Sequence, residues 1–119
     1  MTVRKTYPSL RTADLATAEV WYTKLLGRGP DHRPMATLVQ WELSDGGGVM
    51  LFASEEFAAN GALFVYVDDL DAERRRLAEA RIEIGEDLLG DYSTLAQVRD
   101  PDGNLVTLAS PPVRPFPPA

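Results

Sequence analysis

One order of structural signals is written twice along this chain, and that repeat constrains its fold more than any single residue does. In the first pass, residues 2–10 read as a short extended segment in which Pro8 marks an edge or a bulge. Asp14 is placed to cap a helix whose apolar residues Leu15, Ala18, Trp21, Tyr22, Leu25 and Leu26 recur at helical spacing. Gly27 ends that helix, as a glycine just past the last turn usually does. Residues 28–34 are rich in breakers and read as loop. Residues 35–44 and 48–54 then read as two strands joined by Asp45-Gly46-Gly47, a hairpin signal.

The second pass begins near Ala62. Residues 62–67 form a strand candidate rich in β-branched and aromatic side chains, and Asp68 or Asp69 caps a helix carrying Leu70, Leu77, Ala78 and Ala80 before Gly85. Residues 93–99 and 105–109 make a second hairpin around Asp100-Pro101-Asp102-Gly103-Asn104. Asp14-Leu15 and Asp69-Leu70 lie 55 residues apart, and the hairpin glycines Gly47 and Gly103 lie 56 apart. Two landmarks sharing one offset imply duplication. Each half is β-α-β-β, with room for one more short strand near residues 28–33 or 82–85. Residues 111–119 hold five prolines and can form neither helix nor central strand, so they are expected to be a tail.

A chain of 119 residues has room for one domain with one continuous core. The net charge of −6 repels phosphate backbones, which disfavours nucleic acid as a partner and suits a neutral or cationic small molecule. The apolar runs are far too short to span a bilayer, and the first residues carry no hydrophobic stretch typical of a signal peptide. With no cysteine, neither a disulfide framework nor a thiolate ligand can form. A cytoplasmic protein without membrane contact is the expectation.

Three stretches, in this order and spacing, resemble the vicinal oxygen chelate superfamily, the group of glyoxalases, bleomycin-resistance proteins and extradiol dioxygenases. They are Asp14-Leu15 through Trp21-Tyr22 to Leu25-Leu26-Gly27, Val67-Asp68-Asp69-Leu70-Asp71-Ala72, and Asp100-Pro101-Asp102-Gly103-Asn104. The resemblance implies an α+β fold of paired βαβββ modules forming a curled mixed sheet around a cavity. It would occupy residues 1–110, with modules of about 1–58 and 59–110 and the proline-rich tail at 111–119. It also implies a homodimer whose ligand sites lie near the subunit interface.

Enzymes of this family hold a divalent metal on His, Gln or Glu from the first and last strand of each module. Transferred by distance from the motifs, those positions here are Tyr7, Met50, Ala62 and Thr107, none a usual ligand for such an ion. A catalytic divalent site needs about three protein ligands. The single histidine, His32, sits between Asp31 and Arg33 in the breaker-rich loop, where exposure is the commoner fate. The expectation is therefore a family fold without metal or other cofactor, similar to the bleomycin-resistance branch in length, in acidity and in Phe64 three residues before Val67.

Strand alternation then gives an apolar, aromatic lining: Tyr7 and Ser9, Met50 and Phe52, Ala62, Phe64 and Tyr66, and Leu105, Thr107 and Ala109. Tyr92 is counted with the ligand-binding residues as well. A two-residue loop at the first hairpin sets Trp41 opposite Met50 and adds it to the pocket, whereas an odd loop turns it toward the helices. Rings in a concave site suit planar aromatic ligands. The leading functional reading is non-catalytic binding or sequestration of such a molecule, as in antibiotic resistance, with no catalytic residues. The alternative is a lyase, isomerase or oxygenase with displaced or absent metal, using Glu42, Tyr66 or Tyr92 as acid–base groups, although no dyad is visible. A third reading gives the Arg74-Arg75-Arg76 face or the tail to a protein partner, but a basic triplet on a helix is usually solvated.

Overall fold

The structure, a computed structural model, describes residues 1–54, 56 and 61–119. The expected α+β class holds, and the element order is β1(Ser9–Thr12), α1(Leu15–Leu26), β2(His32–Met35), β3(Leu38–Ser44) and β4(Gly47–Ala53), then β5(Ala62–Tyr66), α2(Leu70–Glu79), β6(Leu88–Leu89), β7(Thr94–Arg99) and β8(Leu105–Ala109). Both halves are βαβββ. Their sheets share one strand order, β1-β4-β3-β2 in the first and β5-β8-β7-β6 in the second, each with a parallel pair closing first strand on last. The chain divides into two compact units, one of residues 1–61 with 100–104 and the other of 62–99 with 105–119. A boundary at 58/59 lies outside the described residues.

In the first unit, Asp14 caps α1 by accepting a hydrogen bond from the Thr17 backbone N–H at 3.2 Å, a contact worth about 1 kcal/mol. Gly27 ends the helix in the left-handed region at φ 75°. One face of the sheet is the core. Leu10, Leu51 and Val39 sit in register across three strands, Trp41 pairs with Val49, and all five are buried with Ala18, Tyr22 and Leu25 of α1. Burying each large side chain stabilises the fold by about 1.5–3 kcal/mol.

The segment expected as one strand over residues 2–10 is split. Thr6 bridges Gly47, and pairing resumes from Ser9 because Pro8 has no N–H to give; its carbonyl instead accepts from Met50 N–H at 3.0 Å. The breaker-rich loop yields β2, and just before it the Asp31 N–H bonds the Gln40 carbonyl at 2.9 Å.

The turn Asp100-Pro101-Asp102-Gly103-Asn104 belongs to this first unit and is more than a turn. The buried Asp100 carboxylate accepts from the Tyr22 hydroxyl at 2.7 Å, from Asn104 Nδ2 at 2.9 Å, and from the backbone N–H groups of Asp102 and Asn104 at 2.9 and 2.8 Å. Asn104 also donates to the Arg11 carbonyl and accepts from Gly61 N–H. Burial and the Asp100 carboxylate together push the Tyr22 hydroxyl far above its ordinary pKa, so it remains a donor.

In the second unit, Asp69 repeats the cap, accepting from Ala72 N–H at 3.0 Å. Helix α2 ends in a Schellman arrangement, with Ile82 N–H on the Leu77 carbonyl and Arg81 N–H on that of Ala78. Arg81 holds the left-handed position, φ 65°, without a glycine. Residues 82–85, one of two places expected to add a strand, instead send Ile82 and Ile84 into the core, and the short strand forms later as β6. Leu63, Leu70, Leu77, Ala96, Val106 and Leu108 complete that core. Among the described residues, no helix is long and apolar enough to cross a membrane.

Candidate functional site

Each sheet buries one face beneath its helix and leaves the other partly open. Because side chains alternate along a strand, the register decides which residues reach the open face. In the first unit Ser9 pairs with Met50, Met50 with Gln40, and Phe52 with Leu38, so these residues share the open face with Tyr7, Arg11 and Glu42. Glu42 is its centre. The Tyr7 hydroxyl lies 2.7 Å from both carboxylate oxygens, Gln40 Nε2 donates at 2.8 Å, and the Lys5 ammonium stands at 3.5 Å. His32 Nε2 lies 3.8 Å away. The Tyr7 and Gln40 hydrogen bonds, with Lys5, hold the Glu42 carboxyl below its usual range, and the same bond raises the Tyr7 phenol. Around this group lie the Arg11 guanidinium, 5.6 Å from the centre of the Phe52 ring, and Ser9, whose hydroxyl meets the Met50 sulfur at 3.8 Å.

Trp41 is a correction. Although Asp45-Gly46 does form the expected two-residue loop, with Ser44 opposite Gly47, the register slips by one between Ser44 and Glu42. Leu43 is the extra residue of a β-bulge, and every side chain beyond it changes face. Trp41 therefore opposes Val49 rather than Met50, is fully buried on the helix side, and donates its ring N–H to the Arg28 carbonyl at 2.8 Å. The signal was the third glycine: a Cβ at Gly48 would fall 1.7 Å from the Trp41 carbonyl oxygen. The same slip brings Gln40 and Glu42 onto the open face.

In the second unit Ala62, Phe64 and Tyr66 share a face and pair with Leu105, Thr107 and Ala109. Phe64 and Tyr66 are about half exposed, with rings edge to face at 5.1 Å. Thr107 is buried and accepts from Gln97 Nε2 at 3.1 Å. A cavity of about 180 Å³ is lined by Phe64, Tyr66, Tyr92, Ser93, Leu95 and Phe116, together with Gly90 and Asp91. Phe116 comes from the proline tail, which the alternation argument could not place because it has no periodicity.

The four positions that the family resemblance assigns to metal ligands do not fit a divalent ion. Tyr7 is committed to Glu42, Met50 offers a thioether, Ala62 offers no donor, and Thr107 is bonded to Gln97. Among the described residues no three His, Asp or Glu side chains gather closely enough to hold a metal.

The sequence matches the family described as Glyoxalase/Bleomycin resistance protein/Dioxygenase superfamily over residues 5–108. Several solved structures superpose on it. A glyoxalase/bleomycin resistance protein from Catenulispora acidiphila DSM 44928 does so with a TM-score of 0.83 at 24 % identity, covering 93 % of this chain and 100 % of that one. A lactoylglutathione lyase from Agrobacterium tumefaciens gives 0.73 at 20 % identity over 92 % of both chains. A bleomycin-binding protein in complex with bleomycin gives 0.71 at 24 %, covering 89 % of this chain and 97 % of that one. No curated protein sequence matches the chain.

Proposed function

Because this chain belongs to the glyoxalase/bleomycin resistance protein/dioxygenase superfamily, we propose that it binds a small, flat, aromatic or cationic molecule without transforming it. The observation that carries this reading is the donor chemistry at the four positions where the family's enzymes hold their metal: a tied phenol, a thioether, a methyl and a tied hydroxyl. The open faces supply the affinity in two forms. The first presents an ionised carboxylate, Glu42, beside Met50 and Phe52, and the second presents the rings of Phe64, Tyr66 and Tyr92. A negative protein with a carboxylate on one face and rings on the other favours planar cations over anions. Sequestration of a drug, as in resistance, is the biological form this takes.

The reading includes a homodimer, since exposed Leu88 and Leu89 leave apolar surface that a second copy would cover. It also has the protein work in the cytoplasm; a chain without cysteines needs no oxidising compartment to fold.

Isothermal titration with bleomycin and a panel of flat cationic drugs is the test. Tryptophan emission is a poor reporter, because Trp41 is buried on the opposite face. Saturable heat at one site per subunit, with the drug recovered unchanged, is expected. A stoichiometric transition metal in the purified protein, or turnover of any of these compounds, would overturn the proposal. Light scattering that finds only monomer at micromolar concentration would remove the dimer.

A further inference from the structure

Strand β8 ends at Ala109, and the chain then runs on beside the segment that leads into β7. Ser110 N–H bonds the Thr94 carbonyl at 3.0 Å, and Val113 N–H bonds the Tyr92 carbonyl at 2.9 Å. The pairing does not continue as a strand, because Pro111, Pro112, Pro115, Pro117 and Pro118 have no N–H to give. Beyond Val113 two side chains rest on one ring. Phe116 packs on Tyr92 with ring centres 4.7 Å apart, and the Arg114 guanidinium lies over the same ring, 4.8 Å from its centre.

These contacts are light. Every residue from 111 to 119 is exposed, and Phe116 is 54 % exposed even while it touches Tyr92. One ring pair or one exposed cation–ring contact shifts an equilibrium by only about twofold to tenfold. The prolines keep the segment extended whether or not it is seated, so little order is lost or gained when it leaves the ring. A ligand that makes comparable contacts with Tyr92 can take its place.

The seat matters because Phe116 is a wall. With the tail in place, the space that it bounds with Phe64, Tyr66, Tyr92 and Leu95 is about 180 Å³. An apolar cavity of about 150 Å³ accepts benzene, whereas drug-sized ligands use roughly 300–1,000 Å³. The space therefore admits one ring and excludes a fused system unless a wall moves. Phe64, Tyr66 and Leu95 stand on paired strands, whereas Phe116 stands on the tail. The tail also brings to Tyr92 a flat ring and a cation, the two features that the binding reading assigns to the ligand.

We propose that the proline-rich tail selects ligands by size: seated, Phe116 completes a one-ring site against Tyr92, and a larger flat cation binds by displacing Phe116 and Arg114 from that ring. This rests on the binding reading above and assigns its specificity to the tail.

Benzamidinium, a single ring with a planar cation, and ethidium, a fused three-ring cation, are titrated calorimetrically against the full chain and its variants. NMR follows the nuclear Overhauser contact between the Tyr92 and Phe116 rings. In the intact protein benzamidinium should leave that contact in place, and ethidium should abolish it. Phe116→Ala should tighten ethidium about twofold to tenfold and weaken benzamidinium by a similar factor, since one ring contact competes with the first and supports the second. Phe116→Tyr should return both to native affinity. A variant that merely loosened the fold would weaken both cations, so opposite signs mark the selection. Shifts of one sign, no shift, or ethidium bound with the ring contact intact would each overturn the proposal and leave the binding reading standing. Failure of both cations and of bleomycin to bind any form would remove the binding reading itself, and this selection with it.

Discussion

The two units share one element order and one strand order, and they differ most on their open faces. Both helices start on an aspartate 55 residues from its twin, both sheets close first strand on last, and both cores put alternate strand residues beneath a helix. The open faces have diverged. The first gathers Tyr7, Gln40, Lys5 and His32 around one carboxylate, and the second shows the phenyl and phenol rings of Phe64, Tyr66, Tyr92 and Phe116. The difference teaches where a duplicated scaffold is free. A buried face must keep its apolar period or lose several kcal/mol at each failed position, whereas an open face costs little to change and so can follow a ligand.

That contrast is broken most directly with two aromatic residues that the alternation argument alone treats as equals. Trp41→Ala should cost about 3–5 kcal/mol in urea unfolding, because it opens the core under α1. Phe64→Ala should cost about 1 kcal/mol, since the ring is half exposed and keeps one edge contact with Tyr66, and it should weaken binding of the proposed ligand more than it weakens the fold. Equal stability losses would mean that the two faces are not distinct. Next in size is Tyr22→Phe, which removes one donor from the buried Asp100 carboxylate; a loss of about 1.5–3 kcal/mol is expected in the same measurement.

A smaller effect separates the helix ends. Gly27 and Arg81 both hold left-handed backbone, but only the first is a glycine. Gly27→Ala should destabilise by about 1 kcal/mol, and Arg81→Gly should stabilise by up to about the same, read as opposite shifts in Tm. The smallest concerns pH. Glu42 has a folded pKa below its unfolded value, so its contribution is fully present above the unfolded pKa, near 4.3, and disappears as pH falls through the lower folded one. The gap in Tm between the native chain and Glu42→Gln should therefore be seen at pH 7 and close toward pH 3. A gap that widens in acid would contradict the Tyr7–Glu42 geometry.

Much of the fold could be read from residues because its signals are local. An aspartate three residues before a free backbone N–H, a glycine just past a helix, and a two-residue hairpin loop each act within one turn of chain, and each is found where the spacing puts it. The face of each candidate residue was legible where simple alternation holds, as for Ser9, Met50, Phe52 and the Ala62, Phe64, Tyr66 row. It failed at Trp41, where a correct turn was followed by one extra residue. Alternation has no memory of a bulge, so the error passed to every residue upstream: it missed Gln40 altogether and the face that Glu42, named only as an acid–base candidate, shares with Met50.

What the sequence determined by itself is therefore the periodic and the local: two halves of one element order, their helix caps and most of their hidden faces. Tertiary structure alone decided the face of Trp41, the burial of Asp100 on Tyr22 across 78 positions of chain, and the seat of Phe116 on Tyr92. Those outcomes depend on hydrogen bonds and ring contacts between residues far apart in sequence. Their energies exist only after the chain has closed, and no spacing along it records them.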